Sequence, residues 1–171
     1  TEGYLEFARL PRPMLEREQV NPLVQSLLRF VGEEAEKASV KVAPDLGDAL
    51  PEVLADENQL RQAMLNVVRN ALEALKGNGS GNGGGGTLSV TTRRAGEQVE
   101  VVFRDDGPGI APKDLARIFD PFYSTKADGT GLGLPLTQQI IEEHGGTIAC
   151  ASEPGRGTVF TIRLPAADGP V

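Results

Sequence analysis

The sequence predicts an α+β fold: a two-layer sandwich in which a mixed, mainly antiparallel sheet of about five strands carries three helices on one face. Three observations lead there. Three helices are expected, two on apolar residues at helical spacing near 22–38 and from Asp56 to the stop at Gly77, and one from about Leu132 to the stop at "HGG" (144–146). Strand-like stretches follow one another at about 87–94 and 97–105, and again at 147–152 and 157–164, the last two separated by the turn "SEPGRG". The 171 residues suffice for one domain with a real core and are too few for two large ones.

Taken in order, residues 1–13, "TEGYLEFARLPRP", read as the tail of a helix running into a proline-punctuated linker. Asn21-Pro22 offers an N-cap and a favourable first helical position, and Val24, Leu27, Leu28, Val31 and Ala35 continue a helix over about 22–38. "SVKVA" (39–43) and "PEVLA" (51–55) read as short extended pieces. Asp56 opens a second helix, with Gln59 as its capping-box partner. Leu60, Met64, Val67, Val68, Ala71 and Leu75 form that helix's apolar stripe, and Gly77 stops it.

The run "GNGSGNGGGG" (77–86) contains a formal GxGxxG at Gly81, Gly83 and Gly86. A dinucleotide fingerprint needs a strand before it and a helix after it. Here a helix precedes and the strand-like "TLSVTT" follows, so the match is a decoy in a flexible, hairpin-like connection. In the strand over 97–105, Val99, Val101 and Phe103 face one way. Residues 106–130 are mostly loop with a short helix near 113–118, and a third helix runs from about Leu132 to the glycine stop in "HGG" (144–146).

Composition narrows the function classes. A net charge of −7 without a local basic cluster argues against a nucleic-acid surface. The single cysteine, Cys150, excludes an internal disulfide framework and suits a reducing, cytoplasmic setting. No apolar run reaches membrane-spanning length, so no membrane contact is expected of this domain, although a longer parent could be anchored.

Chemistry-bearing residues gather in four places. At about 100° per residue, Gln59, Asn66, Asn70 and Glu73 fall in one sector of the second helix, beside its apolar stripe. Polar groups at the edge of a buried face need partners. The asparagines either cap neighbouring loops or turn amide oxygens toward a hard cation such as Mg²⁺. "DDGPGI" (105–110) ends a strand with a carboxylate and two spaced glycines. That is either an ordinary Asp-Gly turn or an acceptor for an exocyclic amine beside backbone that a flat ring can approach. "IFDPFYSTK" (118–126) sets aromatic anchors in a loop, as a docking segment or a satellite cluster. "GTGLGL" (129–134) puts three glycines ahead of a helix, for a tight turn or for an anion held by main-chain N–H groups.

In order, "NVVRNALEAL", "DDGPGI", "IFDPFYSTK", "GTGLGL" and "GRGTVFTIRLP" resemble the asparagine box, first glycine box, phenylalanine box, second glycine box and terminal strands of one family. That family is the catalytic ATP-binding domain of bacterial sensor histidine kinases, a branch of the Bergerat-fold (GHKL) ATPases with gyrase, MutL and Hsp-type chaperones. The resemblance covers roughly residues 20–165, and "PFYSTK…GTGLGLPL" is most similar to the nitrogen-regulatory branch. Neither a GxxxxGK[ST] phosphate loop nor an HRD motif is present.

The resemblance implies ATP and Mg²⁺ as ligands, with particular roles for residues. Asn70 would ligand Mg²⁺ with Asn66 assisting, and Glu73 would lie on the same side of the nucleotide. Asp105 would recognise the adenine amino group, with Gly107, Gly109 and Ile110 lining the base and Thr158 completing a water network beside it. Gly129, Thr130, Gly131, Leu132, Gly133 and Leu134 would surround the phosphates at the third helix's start. Residues 111–130 would form a lid carrying Phe122 and Lys126, the latter reaching the γ-phosphate, with Arg69 a weaker candidate. Asn66, Asn70 and Lys126 would form the catalytic set.

Position 66 bears on the reaction. Hydrolytic members resemble E-x-x-x-N there, the glutamate activating water, and an asparagine has no titratable group for that task. Phosphoryl transfer to another acceptor is therefore expected over hydrolysis. The family's acceptor is a histidine on a helical-hairpin dimerisation domain, with a response regulator as the next partner. The one histidine here, His144 in "EEHGG", lacks an acceptor's setting and reads as a helix-end cap. The organisation implied is the end of the hairpin helix and a linker over 1–20, the catalytic domain over 21–165 and a tail over 166–171. That makes the chain a monomeric piece of a longer kinase. A Bergerat-fold ATPase hydrolysing ATP and a nucleotide-binding module without turnover are the alternatives.

Overall fold

The structure is a computed structural model and describes residues 10–76, 85–123 and 133–167. The expectations for residues 1–9, for the glycine-rich connection over 77–84 and for the tail beyond 167 lie outside it.

The central helix, α3 (Glu57–Lys76), is built on the stripe that periodicity predicts: Leu60, Met64, Val67, Val68, Ala71 and Leu75 are all buried. Two shorter helices precede it, α1 (Val20–Phe30) and α2 (Gly32–Lys37), and two follow, α4 (Pro112–Leu115) and α5 (Gly133–Glu143). The strands are β1 (Glu16–Glu18), β2 (Lys41–Leu46), β3 (Val53–Ala55), β4 (Thr87–Ala95), β5 (Gln98–Asp105), β6 (Thr147–Ser152) and β7 (Thr158–Pro165). Five of them form one sheet in the order β2-β4-β5-β7-β6. The β2–β4 pair is parallel and the others are antiparallel, which makes the sheet mixed and mainly antiparallel.

Leu88 and Val90 of β4, Val99, Val101 and Phe103 of β5, and Phe160, Ile162 and Leu164 of β7 point to one face. They pack with α1, α3 and α5 in one buried cluster. Each large side chain so buried stabilises the fold by about 1.5–3 kcal/mol. On the opposite face Glu100 is 4% exposed yet charged, because Arg93 Nε and Arg163 Nε donate to its two oxygens at 2.7 and 2.9 Å. Both arginines lie directly across from it on the flanking strands.

Several local expectations change. The helix expected over 22–38 is two helices, broken at Val31 just before Gly32, the residue with the largest entropic cost inside a helix. Asn21 is not the N-cap. The helix starts at Val20 after Gln19, and the Asn21 amide reaches over to the Gly47 carbonyl and the Thr92 hydroxyl. Asp56 does cap α3, accepting from Gln59 N–H at 3.2 Å, but the Gln59 side chain donates to the Pro11 carbonyl instead of closing the box. The strand expected at 39–43 runs over Lys41–Leu46 and includes Pro44, which an edge strand tolerates. β1 has no counterpart in the sequence reading; it pairs with β3 as a separate two-stranded ladder. The short helix near 113–118 is a single turn, Pro112–Leu115.

Candidate functional site

Two glycine-bearing loops and one helix face make the site. β5 ends at Asp105, and its alternation carries that carboxylate inward with Val101 and Phe103, so it is only 5% exposed. Asp105 Oδ1 accepts from Gly107 N–H at 2.9 Å. Burial pushes the carboxyl above the ordinary carboxylate range and the Asp106 charge adds to that, while the Gly107 and Thr158 N–H groups draw it back only in part. No cation pairs with it among the described residues. An unpaired desolvated carboxylate is costly, and such groups gather where function needs them. Its neighbour is different: Asp106 is exposed and caps the start of β4 through Thr87 N–H at 2.8 Å.

The two glycines of "DDGPGI" have separate reasons. A Cβ on Gly107 would lie 2.9 Å from Asp105 Oδ1, with Leu75 and Ala74 of α3 next to it, so the bare position keeps the carboxylate clear. Gly109 has φ +77, and a Cβ there would sit 2.1 Å from the Glu153 carbonyl oxygen. Its freedom serves the close docking of this loop on the β6–β7 turn, where Gly155 N–H also donates to the Pro108 carbonyl at 2.7 Å. That purpose differs from the approach of a flat ring. Ile110 follows, half-buried, packed against the core.

Ser152 joins these pieces, a role the sequence reading did not give it. Its Oγ donates to the Gly157 carbonyl at 2.8 Å, accepts from Ile110 N–H at 2.8 Å, and lies 2.9 Å from Thr158 Oγ1. With the serine proton on Gly157, the threonine hydroxyl is the donor in the last contact. Thr158 is buried directly opposite Asp105 in the β5–β7 ladder. The signal was available: Ile148, Cys150 and Ser152 share the inward face of β6.

On the helix side, Asn66 faces the start of α5. Its Nδ2 donates to the Gly133 carbonyl at 3.2 Å and to Thr137 Oγ1 at 3.3 Å. Its carbonyl oxygen accepts no hydrogen bond among the described residues. Asn70 is half-buried and Glu73 exposed, following at helical spacing on the same face. Gly133 is exposed, and among the described residues nothing lies within 4 Å of a Cβ built on it. Leu134 is half-buried against the core. Among the described residues no cluster of three or more His, Cys, Asp or Glu could cage a metal. A hard cation here would depend on amide oxygens and on ligand oxygens, which suits Mg²⁺.

Phe122 is exposed, with φ 67, a strained conformation for a bulky residue. Beside it Tyr123 donates its hydroxyl to Asp114 and lies under Arg117, whose guanidinium is 4.2 Å from the ring. Arg69 is engaged by Glu34 at 2.9 Å and stands 6.0 Å over Phe30, so its guanidinium is committed to α1 and α2 rather than to a phosphate. Lys126, Gly129, Thr130, Gly131 and Leu132 lie outside the described residues. Among the described residues no helix is long and apolar enough to cross a membrane.

Comparison with known proteins follows the same lines. Residues 55–168 match the family described as "Histidine kinase-, DNA gyrase B-, and HSP90-like ATPase". Sensor histidine kinase ZraS of Escherichia coli (strain K12) is 38% identical over 161 residues, which are 94% of this chain and 33% of ZraS. The chain thus spans about a third of that relative's length. The catalytic domain of histidine kinase ThkA superposes with a TM-score of 0.77 at 29% identity, covering 89% of this chain and 95% of that one. ThkA in complex with response regulator protein TrrA gives 0.80 at 26% identity, covering 97% and 46%. Full-length ShkA in complex with AMPPNP gives 0.83 at 28% identity, covering 99% and 36%. The fold is that of histidine kinase catalytic domains.

Proposed function

The chain belongs to the histidine kinase-, DNA gyrase B-, and HSP90-like ATPase family, and on that premise we propose that it binds ATP with Mg²⁺ as the catalytic domain of a sensor histidine kinase. It passes the γ-phosphoryl group to a histidine on a separate helical-hairpin domain, and a response regulator receives it next. The observation that carries this reading is the buried Asp105 carboxylate, paired with no cation among the described residues, beside Gly107, Thr158 and the last turns of α3.

Each residue has a defined task. Asp105 accepts a hydrogen bond from the exocyclic amine of adenine, a donor that guanine replaces with a carbonyl acceptor. Gly107, bare, lets the base reach that carboxylate, while Gly109 holds the loop on the β6–β7 turn. Ile110 offers an apolar edge, and Ser152 fixes both Ile110 N–H and the Thr158 hydroxyl around the base. The start of α5 presents N–H groups to phosphate oxygens. Asn66, Asn70 and Glu73 face the phosphates and their cation from α3. Mg²⁺, when bound, neutralises phosphate charge that this acidic chain would otherwise repel. Lys126 and the glycines from Gly129 to Gly131 complete the phosphate side in this reading.

Asn66 cannot take a proton from water, which favours transfer to an external imidazole over hydrolysis. The test is calorimetric titration with a non-hydrolysable ATP analogue, with and without Mg²⁺, beside the guanine analogue. One-to-one binding that prefers adenine and tightens with Mg²⁺ is expected. Absent binding, or equal binding of guanine, contradicts the reading.

A further inference from the structure

We propose that Thr137 is a positioning residue: it fixes the orientation of the Asn66 side-chain amide so that the amide oxygen, and not the nitrogen, is presented to the phosphate-bound cation. This rests on the nucleotide reading above and assigns that site a residue which touches no ligand itself.

Thr137 is 0% exposed, on the apolar side of α5 between Leu134 and Ile140 and against α3. A buried hydroxyl needs partners, and this one has three. Thr137 Oγ1 lies 2.9 Å from the Gly133 carbonyl one turn back, 3.3 Å from the Ala63 carbonyl on α3, and 3.3 Å from Asn66 Nδ2. A hydroxyl has one proton and two lone pairs. Both carbonyls can only accept, so the proton goes to one of them and a lone pair faces Asn66. The amide must therefore turn its NH₂ toward Thr137. The Gly133 carbonyl, 3.2 Å from the same nitrogen, demands the same orientation.

The consequence is for the other end of the amide. With both N–H bonds drawn to α5, the Asn66 carbonyl oxygen is the free end, and it accepts nothing among the described residues. A hard cation takes an amide oxygen and rejects an amide nitrogen. A valine at 137 would fill nearly the same space in the same helix but would offer Asn66 no lone pair. One N–H would then lose its partner, and the reverse orientation would no longer be penalised as strongly.

The experiment compares Thr137→Val and Thr137→Ser with the parent chain, titrating each with the imido analogue of ATP in Mg²⁺ and in EDTA. In the parent, Mg²⁺ tightens binding. In Thr137→Val that tightening falls by roughly five- to tenfold while the EDTA affinity stays within about twofold. Thr137→Ser keeps the tightening, because it keeps the hydroxyl. Full Mg²⁺-dependent tightening in Thr137→Val overturns the proposal, and so does equal loss in the valine and serine variants, since packing would then be the cause. If valine prevents folding, Thr137→Ala against Thr137→Ser makes the same comparison, both lacking the methyl and differing in the hydroxyl. A second readout needs no nucleotide: the side-chain ¹⁵N–¹H resonances of Asn66, assigned through Asn66→Asp, shift in Thr137→Val and stay in Thr137→Ser. Unchanged resonances in Thr137→Val overturn the proposal. Failure of the nucleotide reading looks different, because the unsubstituted chain itself then shows no binding or no Mg²⁺ effect.

Discussion

The backbone N–H of Asp56, at the head of α3, donates to His144 Nε2 at the tail of α5, 3.1 Å away. The other ring nitrogen, Nδ1, lies 2.7 Å from the Ile140 carbonyl and donates to it. That pair of partners sets one neutral tautomer and closes the ends of two helices on each other. The Asp56 carboxylate accepts Met14 N–H at 3.0 Å and Gln59 N–H at 3.2 Å. The histidine is thus a structural clasp, more committed than the helix-end cap the sequence suggests.

Replacing His144 with alanine therefore costs stability rather than chemistry. Urea unfolding is expected to show a loss of about 2 kcal/mol, from one orphaned N–H and a cavity. Nucleotide affinity measured well below the unfolding transition stays near the parent's.

Asp105→Asn separates binding from stability. The amide can still accept from Gly107 N–H, but it weakens the acceptor for adenine, by about tenfold or more in calorimetry. The sign of the stability change is opposite. The folded-state pKa is raised, so folding disfavours the carboxylate. That penalty is absent below the ordinary value of about 4 and develops as pH rises through it toward the raised one. The variant should melt higher than the parent at pH 7 to 8, by about one to a few degrees for roughly 1 kcal/mol or less, and the difference should vanish near pH 3.

Glu100 gives the reverse slope. The hydrogen bonds from Arg93, then Arg163, hold its carboxyl below the usual range in spite of its burial. Its contribution is present above about pH 4.5 and is lost as pH falls through the lowered folded value. Since Arg93 is 69% exposed, solvent screens part of it. Glu100→Gln should lower stability at pH 7 by about 1 kcal/mol, with the gap closing on acidification of the urea melts.

The glycines on either side of the site divide by purpose. Gly109→Ala meets the Glu153 carbonyl in a left-handed backbone and should destabilise the fold by about 1–3 kcal/mol. Gly133→Ala meets nothing of the described chain, so thermal stability should hold or rise slightly. Its effect belongs to the ligand: weaker triphosphate analogue, unchanged adenosine.

Much of this was legible before any coordinates. The stripe from Leu60 to Leu75 is so regular that only one helix face can be buried, and the pairs β4–β5 and β6–β7 are each joined by a short turn, with alternation plainest in β6 and β7. Asp105 was distinguishable from Asp106 because strand parity carries the first inward. What stayed hidden depends on distant partners. β1, with the sequence Glu-Arg-Glu, is a strand because Val53–Ala55 lies alongside it. Asn21 forgoes capping because Gly47 and Thr92 are near. Ser152 reads only as the first residue of the turn "SEPGRG", and nothing in the sequence singles out Thr137 on the third helix; their roles exist only once β6 meets β7 and α5 meets α3.

The claim that this chain hands its γ-phosphoryl group to an outside histidine is put to the proof by mixing it with a histidine-bearing hairpin domain of a sensor kinase and ATP labelled at the γ-phosphate. The claim predicts an acid-labile label on the hairpin's histidine, dependent on Asn66 and Asp105, and none on the chain itself. Label stably held on His144, or steady release of inorganic phosphate by the chain alone with no transfer to the hairpin, would contradict it.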